Sequence, residues 1–155
     1  MKQLCPASVI VLVAFVLVAG STAAQARPRD DNPTIVSLSL SKYAAVQTID
    51  GGTSVGVHPG SLHVHVGDRI VFVNDDTDHH TATSLVDAVS FVDDPRWTDD
   101  ALRQTGEIGP RFWSTGDLAP GQRSAPLVAR KAGTFLYGCF FDYGAGMRGE
   151  IVVEP

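Results

Sequence analysis

Residues 133–154 read GTFLYGCFFDYGAGMRGEIVVE, in which two β-rich runs flank a short loop that ends in small residues. The runs GTFLYGCF and RGEIVVE are rich in the aromatic and β-branched residues that strands favour. Cys139 lies at the end of the first run, Met147 lies directly before the second, and Asp142 lies between them. This segment therefore predicts two strands joined by a loop that carries a thiol, a thioether and a carboxylate.

Short β-rich runs recur through the rest of the chain. TIVSLSLS and SLHVHVG alternate apolar with polar residues, which is the period of a half-buried strand, and DRIVFVN and APLVAR are further runs. Turn residues separate them, as at Pro59-Gly60 and Pro120-Gly121. The pattern predicts an all-β antiparallel sandwich or barrel. Residues 85–116 are less regular, and Thr98 is expected to cap a short helix that runs through Gln104.

The N-terminus has the pattern of an export signal. Lys2 precedes an apolar run, and Ala24-Gln25-Ala26 fits a signal peptidase site. The run is short for a bilayer span, although an uncleaved anchor is the alternative. We therefore expect a signal peptide over residues 1–26, a flexible leader over 27–33 and one domain over 34–155. The mature protein is expected to be periplasmic or secreted, with no membrane attachment after cleavage.

The net charge and the cysteine content exclude some classes of function. The formal net charge of −5 and the lack of a basic run argue against binding to nucleic acid or to an anionic membrane. Cys5 precedes the apolar run and would leave with the signal, so Cys139 is expected to be the one cysteine of the mature chain. In an oxidising compartment such a thiol is expected to be buried, paired with another chain or bound to a metal.

The residues of the loop favour metal binding as the role of Cys139. Thiolate and thioether are soft ligands, and holding Cys139 and Met147 on one short loop suits copper. A third ligand is expected to be an imidazole, for which the segment NDDTDHHTATS offers His79 and His80. Two loops at the same end of a sandwich would bring His80, Cys139 and Met147 together.

Two blocks of the chain resemble the cupredoxins of the plastocyanin and azurin type. The blocks are GDRIVFVNDDTDHHTATS and LAPGQRSAPLVARKAGTFLYGCFFDYGAGMRGEIVVE, and the resemblance covers about Leu62 to Glu154, with a poor match over 85–116 except for FWSTGDLAPG. It implies a cupredoxin-like Greek-key sandwich that binds one copper ion per chain, cycling between Cu(I) and Cu(II). Carried over by position, it implies His80, Cys139 and the weak axial Met147 as ligands, with Thr81 beside them.

The departure from the family is at Asp142, where plastocyanin-like loops have a histidine ligand. The spacing Cys139-x-x-Asp142-x-x-x-x-Met147 is retained. A carboxylate oxygen is two bonds beyond Cβ, as is the ring nitrogen nearest the backbone, so Asp142 can reach the same position. An anionic, harder ligand would favour Cu(II), lower the reduction potential and give a green, yellow or red colour. The alternative is that Asp142 caps nearby amides and that the site is lost.

Each of these residues also has an ordinary structural interpretation. Cys139 would serve as a small buried hydrophobe, Met147 as core filler, and His80 as a cap of its own turn. Trp97, Phe112, Trp113 and Tyr137 are explained as core or as cover over the irregular segment, and Tyr143 as a shield of the site or a partner surface.

The other histidines and the acidic turn have weaker functional interpretations. His63 and His65 share an outward strand face and would hold at most a surface metal, with His58 as a third ligand. His79 would swing in to replace the missing imidazole. The group Asp75, Asp76 and Asp78 is expected to be a solvated turn, which would also steer a cationic partner.

The sequence thus favours a one-electron carrier that docks a redox or copper-exchange protein with a basic surface. We expect no enzymatic activity, because no nucleophile triad or pair of catalytic carboxylates is recognisable. The alternatives are a protein that stores, delivers or senses copper without redox cycling, and a metal-free cupredoxin scaffold used as a binding module.

Overall fold

The structure is a computed structural model, and it describes residues 32–49 and 52–155. The predicted signal peptide over residues 1–26, with Cys5, and most of the leader lie outside the described residues. Within the described part of the chain, no helix is long and apolar enough to cross a bilayer.

Strands dominate the described residues, and each is short. They are β1 Thr34–Leu38, β2 Val46–Gln47, β3 Thr53–Ser54, β4 Val57–His58, β5 Ser61–His65, β6 Arg69–Asn74, β7 Thr83–Ser84, β8 Gln104–Thr105, β9 Ser114–Thr115, β10 Leu127–Val128, β11 Gly133–Gly138 and β12 Arg148–Glu154. Two 3₁₀ helices, Asp99–Leu102 and Tyr143–Ala145, complete the described elements. The strands predicted from alternation and β-rich runs correspond to β1, β5, β6, β10, β11 and β12.

The strands form two main sheets and a small hairpin. One sheet has the order β10-β6-β1-β4, the other has the order β5-β12-β11-β7-β9-β8, and β2 pairs with β3. The predicted all-β sandwich is confirmed. It differs from the expectation in one respect, because β1 pairs with β6 in parallel and β5 pairs with β12 in parallel, so the sandwich is mixed rather than wholly antiparallel.

The core lies between the two sheets and is formed by alternate residues of their strands. Three aromatic side chains at its centre are at most 1% exposed: Phe72 of β6, Tyr137 of β11, and Trp113, which directly precedes β9. The Phe72 ring centroid lies 6.1 Å from that of Trp113 and 5.4 Å from that of Tyr137. Around this group pack buried aliphatic side chains from both sheets, among them Val36, Leu38, Leu62, Val64, Ile70, Ile151 and Val153. Trp113 and Tyr137 are therefore core residues, as predicted.

The helix predicted in the irregular segment is present as a single 3₁₀ turn. The Thr98 hydroxyl accepts a hydrogen bond from the Asp100 N–H at 3.4 Å, which is the expected cap. The helix ends at Leu102 rather than Gln104, because Gln104 pairs with Thr115 and begins β8.

Strand pairing brings the candidate ligand segments to one end of the sandwich. Gly138, at the end of β11, pairs with Thr83 of β7 on one side and with Arg148 of β12 on the other. Three segments are therefore neighbours: the residues just before β7, those just after β11 and those just before β12. These are the segments that contain His80, Cys139 and Met147.

We predict that Gly149→Ala destabilises the sandwich. A Cβ at Gly149 would lie 2.6 Å from the Tyr137 hydroxyl oxygen and 3.1 Å from the Gly60 carbonyl oxygen, so the new methyl group overpacks the core. We expect the free energy of unfolding to fall by about 1–3 kcal/mol, measured by urea denaturation. Gly144→Ala is the matched control, since a Cβ there meets nothing within 4 Å. Equal stabilities of the two variants would contradict the packing described here.

Candidate metal centre

Three side chains with metal-binding atoms converge at this end of the sandwich. His80, Cys139 and Asp142 each place one such atom within 4.8 Å of the other two. The His80 Nδ1 atom lies 3.0 Å from Asp142 Oδ2 and 3.7 Å from Cys139 Sγ, and Sγ lies 3.4 Å from Oδ2. His80 and Cys139 are each 1% exposed, while the Asp142 side chain is 28% exposed. The group thus reaches solvent on the Asp142 side.

A buried carboxylate fixes the protonation of the histidine ring. Asp76 Oδ2 lies 3.3 Å from His80 Nε2, and its side chain is only 6% exposed. Burial raises the pKa of Asp76, but hydrogen bonds from Thr77 N–H, His80 and Ser41 outweigh it and hold that pKa well below its ordinary value. An ionised carboxylate can only accept, so Nε2 carries the proton and donates it to Asp76. The Nδ1 atom, at the other side of the ring, faces Cys139 and Asp142.

The position of Asp76 corrects the expectation of a solvated acidic turn. Asp75 follows that expectation, with its carboxylate 45% exposed and paired with Lys42 at 2.6 Å. Asp76 instead turns inward, because Ser41 donates to it through its backbone N–H at 3.3 Å and its hydroxyl at 3.0 Å. Three aspartates in a turn-rich run give no sign of which one is buried. The sequence feature that could have indicated the contact between Asp76 and His80 is their four-residue spacing.

Asn74 organises the loop that carries His80. Its buried side chain donates to the carbonyl oxygens of Asp78 and Leu118, each at 2.7 Å, and its Oδ1 accepts from the Asp76 N–H at 2.9 Å. His80 itself exchanges two backbone hydrogen bonds with Leu118, of 3.1 and 2.9 Å. These two bonds form an antiparallel bridge that attaches the His80 backbone to Leu118.

The cysteine sulfur is buried, and it accepts backbone hydrogen bonds from Thr81, Phe141 and Asp142. The Thr81 N–H donates to Cys139 Sγ at 3.4 Å, and the Thr81 hydroxyl accepts from the Phe140 N–H at 2.9 Å. Thr81 therefore lies beside the sulfur, as the resemblance implied. Burial raises the pKa of the Cys139 thiol to about 11, so a thiolate here requires a cation to stabilise it.

Asp142 does not cap the 3₁₀ helix that follows it. Its side chain makes no capping hydrogen bond to the amides of Tyr143–Ala145, although the residue is in the N-cap position. The carboxylate instead points to His80 Nδ1. The alternative in which Asp142 caps its own loop is therefore not the arrangement that the structure has.

Met147 is completely buried, in the same core cluster as Cys139. Its backbone joins the ligand loop at two points, because its carbonyl oxygen accepts from the Cys139 N–H at 2.8 Å and its N–H donates to the Asp142 carbonyl oxygen at 3.2 Å. Gly146 precedes it with φ of 87°, a left-handed conformation that glycine adopts without strain. The axial role of the Met147 thioether stays a prediction.

The remaining histidines lie away from this group. His79 does not swing inward, because its ring binds Asp117 at 2.8 Å and is 54% exposed. His63 and His65 point outward from β5, as predicted from alternation. His58 is exposed and stacks on Tyr43, with ring centroids 5.2 Å apart.

Aromatic side chains from the irregular segment brace the ligand loop. The Tyr143 hydroxyl donates to the Val92 carbonyl oxygen at 2.8 Å, and its ring packs edge-on against Trp97 with centroids 5.4 Å apart. Trp97 in turn donates from its indole N–H to the Ser84 carbonyl oxygen at 2.9 Å. Trp97 thus covers this segment as predicted, and the buried Tyr143 supports the loop.

The donor set and its spacing fit a transition-metal ion. Metal bonds to nitrogen, oxygen and sulfur of about 2.0–2.3 Å place neighbouring ligand atoms roughly 3–4 Å apart, as the three observed separations are. His80 Nδ1 and Asp142 Oδ2 lie at a hydrogen-bond distance of 3.0 Å, which either a shared proton or a bound metal ion would bridge. Imidazole, thiolate and carboxylate together would suit copper or zinc.

Comparison with known proteins gives matches among solved structures only. No protein-family model matches the chain, and neither does any curated protein. A point mutant of amicyanin in its reduced Cu(I) form at pH 4 is 22% identical over 82% of this chain and 87% of that chain, with a TM-score of 0.49. A second reduced amicyanin mutant is 19% identical over the same shares, also with a TM-score of 0.49.

We predict that Asp76→Ala destabilises the protein more than Asp75→Ala does. Removing Asp76 leaves the buried His80 Nε2–H without its acceptor, which costs about 1–3 kcal/mol of unfolding free energy. Removing Asp75 loses an exposed ion pair with Lys42 and an exposed hydrogen bond from the Tyr43 hydroxyl, so a small effect is expected. Urea denaturation of both variants measures the difference, and ¹⁵N NMR of the His80 ring reports the tautomer. An unchanged Nε2–H tautomer in Asp76→Ala would contradict the assigned role.

Proposed function

We propose that this protein binds one copper ion through His80, Cys139, Asp142 and Met147 and acts as a one-electron carrier. The observation that supports it best is the convergence of His80 Nδ1, Cys139 Sγ and Asp142 Oδ2 at separations of 3.0–3.7 Å. A bound copper ion would supply the redox chemistry by alternating between Cu(I) and Cu(II). The chain's own residues would set the geometry, the charge and the access of that ion.

The buried residues of the site would keep the ligand positions fixed when the oxidation state changes. Asp76 holds the ring of His80 from the far side, and Thr81 donates to the Cys139 sulfur. Such outer hydrogen bonds orient ligands and tune a metal's affinity and potential. The Cys139 N–H also donates to the Met147 carbonyl oxygen, which ties the two ends of the ligand loop together. A rigid site of this kind suits electron transfer.

Asp142 would determine whether the reduction potential of the copper ion is raised or lowered. As an anionic and harder ligand than imidazole, it favours Cu(II), so the reduction potential would be lower than that of a site with two histidines. It would also alter the charge-transfer spectrum, with green, yellow or red colour in place of intense blue. Its side chain is 28% exposed, so it would be the ligand nearest to a docking partner.

The same exposure favours a second candidate function, the storage or delivery of copper without redox cycling. His80, Cys139 and Met147 are at most 1% exposed, so exchange of the ion would proceed past Asp142. A carboxylate also binds Cu(I) less well than an imidazole does, which would ease its release. Reversible redox cycling separates the carrier from this alternative, and failure to bind copper would select a metal-free binding module.

The setting that we propose is extracytoplasmic, and the role is that of a carrier rather than an enzyme. The exposed carboxylates of Asp75, Asp78 and Asp117 lie in or near the loop that carries His80. Their charge would attract a redox or copper-exchange partner with a basic docking surface.

We predict that the protein binds one equivalent of Cu(II) with strong thiolate-to-copper absorption. Cys139→Ser removes the thiolate, so this absorption should be lost. Asp142→Ala should shift the band and change the EPR signal, because one ligand is exchanged. Visible absorption and EPR during a Cu(II) titration measure both effects. Asp78→Asn is the matched control, since Asp78 is exposed and outside the ligand group.

Two outcomes of the Cu(II) titration would contradict this prediction. A charge-transfer band that is absent from the wild-type protein, or that survives in Cys139→Ser, would exclude a copper centre at this cysteine. A band that is the same in Asp142→Ala and Asp78→Asn would remove Asp142 from the ligand set while leaving the other ligands in place.

We further predict that Asp142→His raises the reduction potential and moves the colour toward blue. Imidazole is neutral and softer than carboxylate, so the preference for Cu(II) should fall at least tenfold, which corresponds to about 59 mV for one electron. Voltammetry of the copper-loaded variant and wild-type protein measures the change. A potential that stays the same or falls would show that Asp142 does not set the charge of the site.

A further inference from the structure

A second group of metal-binding side chains lies on the outer face of β5. His63 and His65 alternate with the buried Leu62 and Val64, so both imidazoles lie on the same side of the strand. Residues two apart on one strand are separated by about 6.6–7 Å at the backbone, within reach of one ion for two long side chains. The His63 and His65 side chains are 52% and 36% exposed, so both rings have room to turn.

The parallel pairing of β5 with β12 adds a carboxylate to this face. Glu154 lies beside His65 in the register of the two strands. Its Oε1 is 3.3 Å from His63 Nδ1, and its Oε2 is 3.5 Å from His65 Nε2. One carboxylate therefore lies between two imidazoles that come from the neighbouring strand. The sequence separates Glu154 from the histidines, so their proximity was not visible in the His-x-His motif.

Asp68 completes the arrangement from the other side of His65. Its Oδ2 accepts the backbone N–H of His65 at 2.7 Å and lies 3.8 Å from the His65 Nδ1 atom. His65 thus has a carboxylate near each ring nitrogen. Histidines that bind metals commonly have this pattern, in which a carboxylate faces one nitrogen and orients the other toward the ion.

We propose that His63, His65 and Glu154 form a second binding site, for a divalent ion of intermediate softness such as Zn²⁺ or Cu²⁺. Two imidazoles and one carboxylate are a common set of three protein ligands for such ions, with water in the remaining positions. Asp68 is the positioning residue, because it accepts the His65 backbone N–H at 2.7 Å and lies 3.8 Å from Nδ1, while Nε2 would turn to the ion.

This site is separate from the group around Cys139. β12 begins at Arg148, next to the ligand loop, and reaches Glu154 at the other end. At about 3.3 Å per residue, the two groups lie on the order of 20 Å apart. The second site contains no sulfur donor, so Cu²⁺ bound there would give no thiolate charge-transfer band. It therefore does not depend on the proposed carrier function.

The experiment is a Zn²⁺ titration of the ¹⁵N-labelled protein followed by NMR, with affinities from calorimetry. Cys139→Ser serves as the background in a parallel series, so that zinc bound at the first group is recognised. We expect Zn²⁺ to shift the amide resonances of residues 61–66 and 150–154 in both backgrounds. The double variant H63A/H65A should lose this binding, whereas Asp68→Asn should weaken it by about tenfold.

His58→Ala is the matched control, because it removes one exposed histidine that lies outside the cluster. Unchanged binding in His58→Ala with loss in H63A/H65A supports the site. Equal Zn²⁺ affinity in both variants overturns it, as do shifts in the wild-type protein that are confined to the surroundings of Cys139. The wild-type shift map decides the matter even if a variant folds poorly.

Discussion

The hydrogen bond between Asp76 and His80 determines what the converging side chains can do. An ionised carboxylate accepts a hydrogen bond from Nε2, so the other ring nitrogen faces the sulfur and the second carboxylate. Without this bond the ring could turn or take the other tautomer. The two Ser41 hydrogen bonds that hold Asp76 and the Asn74 side chain that shapes its loop are thus part of the same site.

Local patterns in the sequence were sufficient for the strands and for part of the site. Alternation predicted β5 and the outward direction of His63 and His65, and the run RGEIVVE corresponds to β12 from its first residue to its last. These predictions succeed because side-chain period and β-propensity are properties of neighbouring residues. The approach of His80 and Cys139 was also expected, since both lie beside strand ends, whereas for Asp142 the sequence allowed either a ligand or a loop cap.

The features that the sequence could not predict depend on contacts between segments that are distant along the chain. The inward turn of Asp76 arises from Ser41, thirty-five residues earlier, and nothing in the acidic run distinguishes it from Asp75. The parallel pairs β1–β6 and β5–β12 join segments whose alternation is compatible with either direction. The strands β2–β4 and β7–β9 have two residues each, which is too short for a period to be recognised.

The pairing of β5 with β12 has a consequence for biosynthesis. β5 is at the edge of its sheet, and its partner is about ninety residues further along the chain. The sandwich therefore cannot close until residues 148–154 have left the ribosome, and until then Leu62 and Val64 have no sheet to pack in.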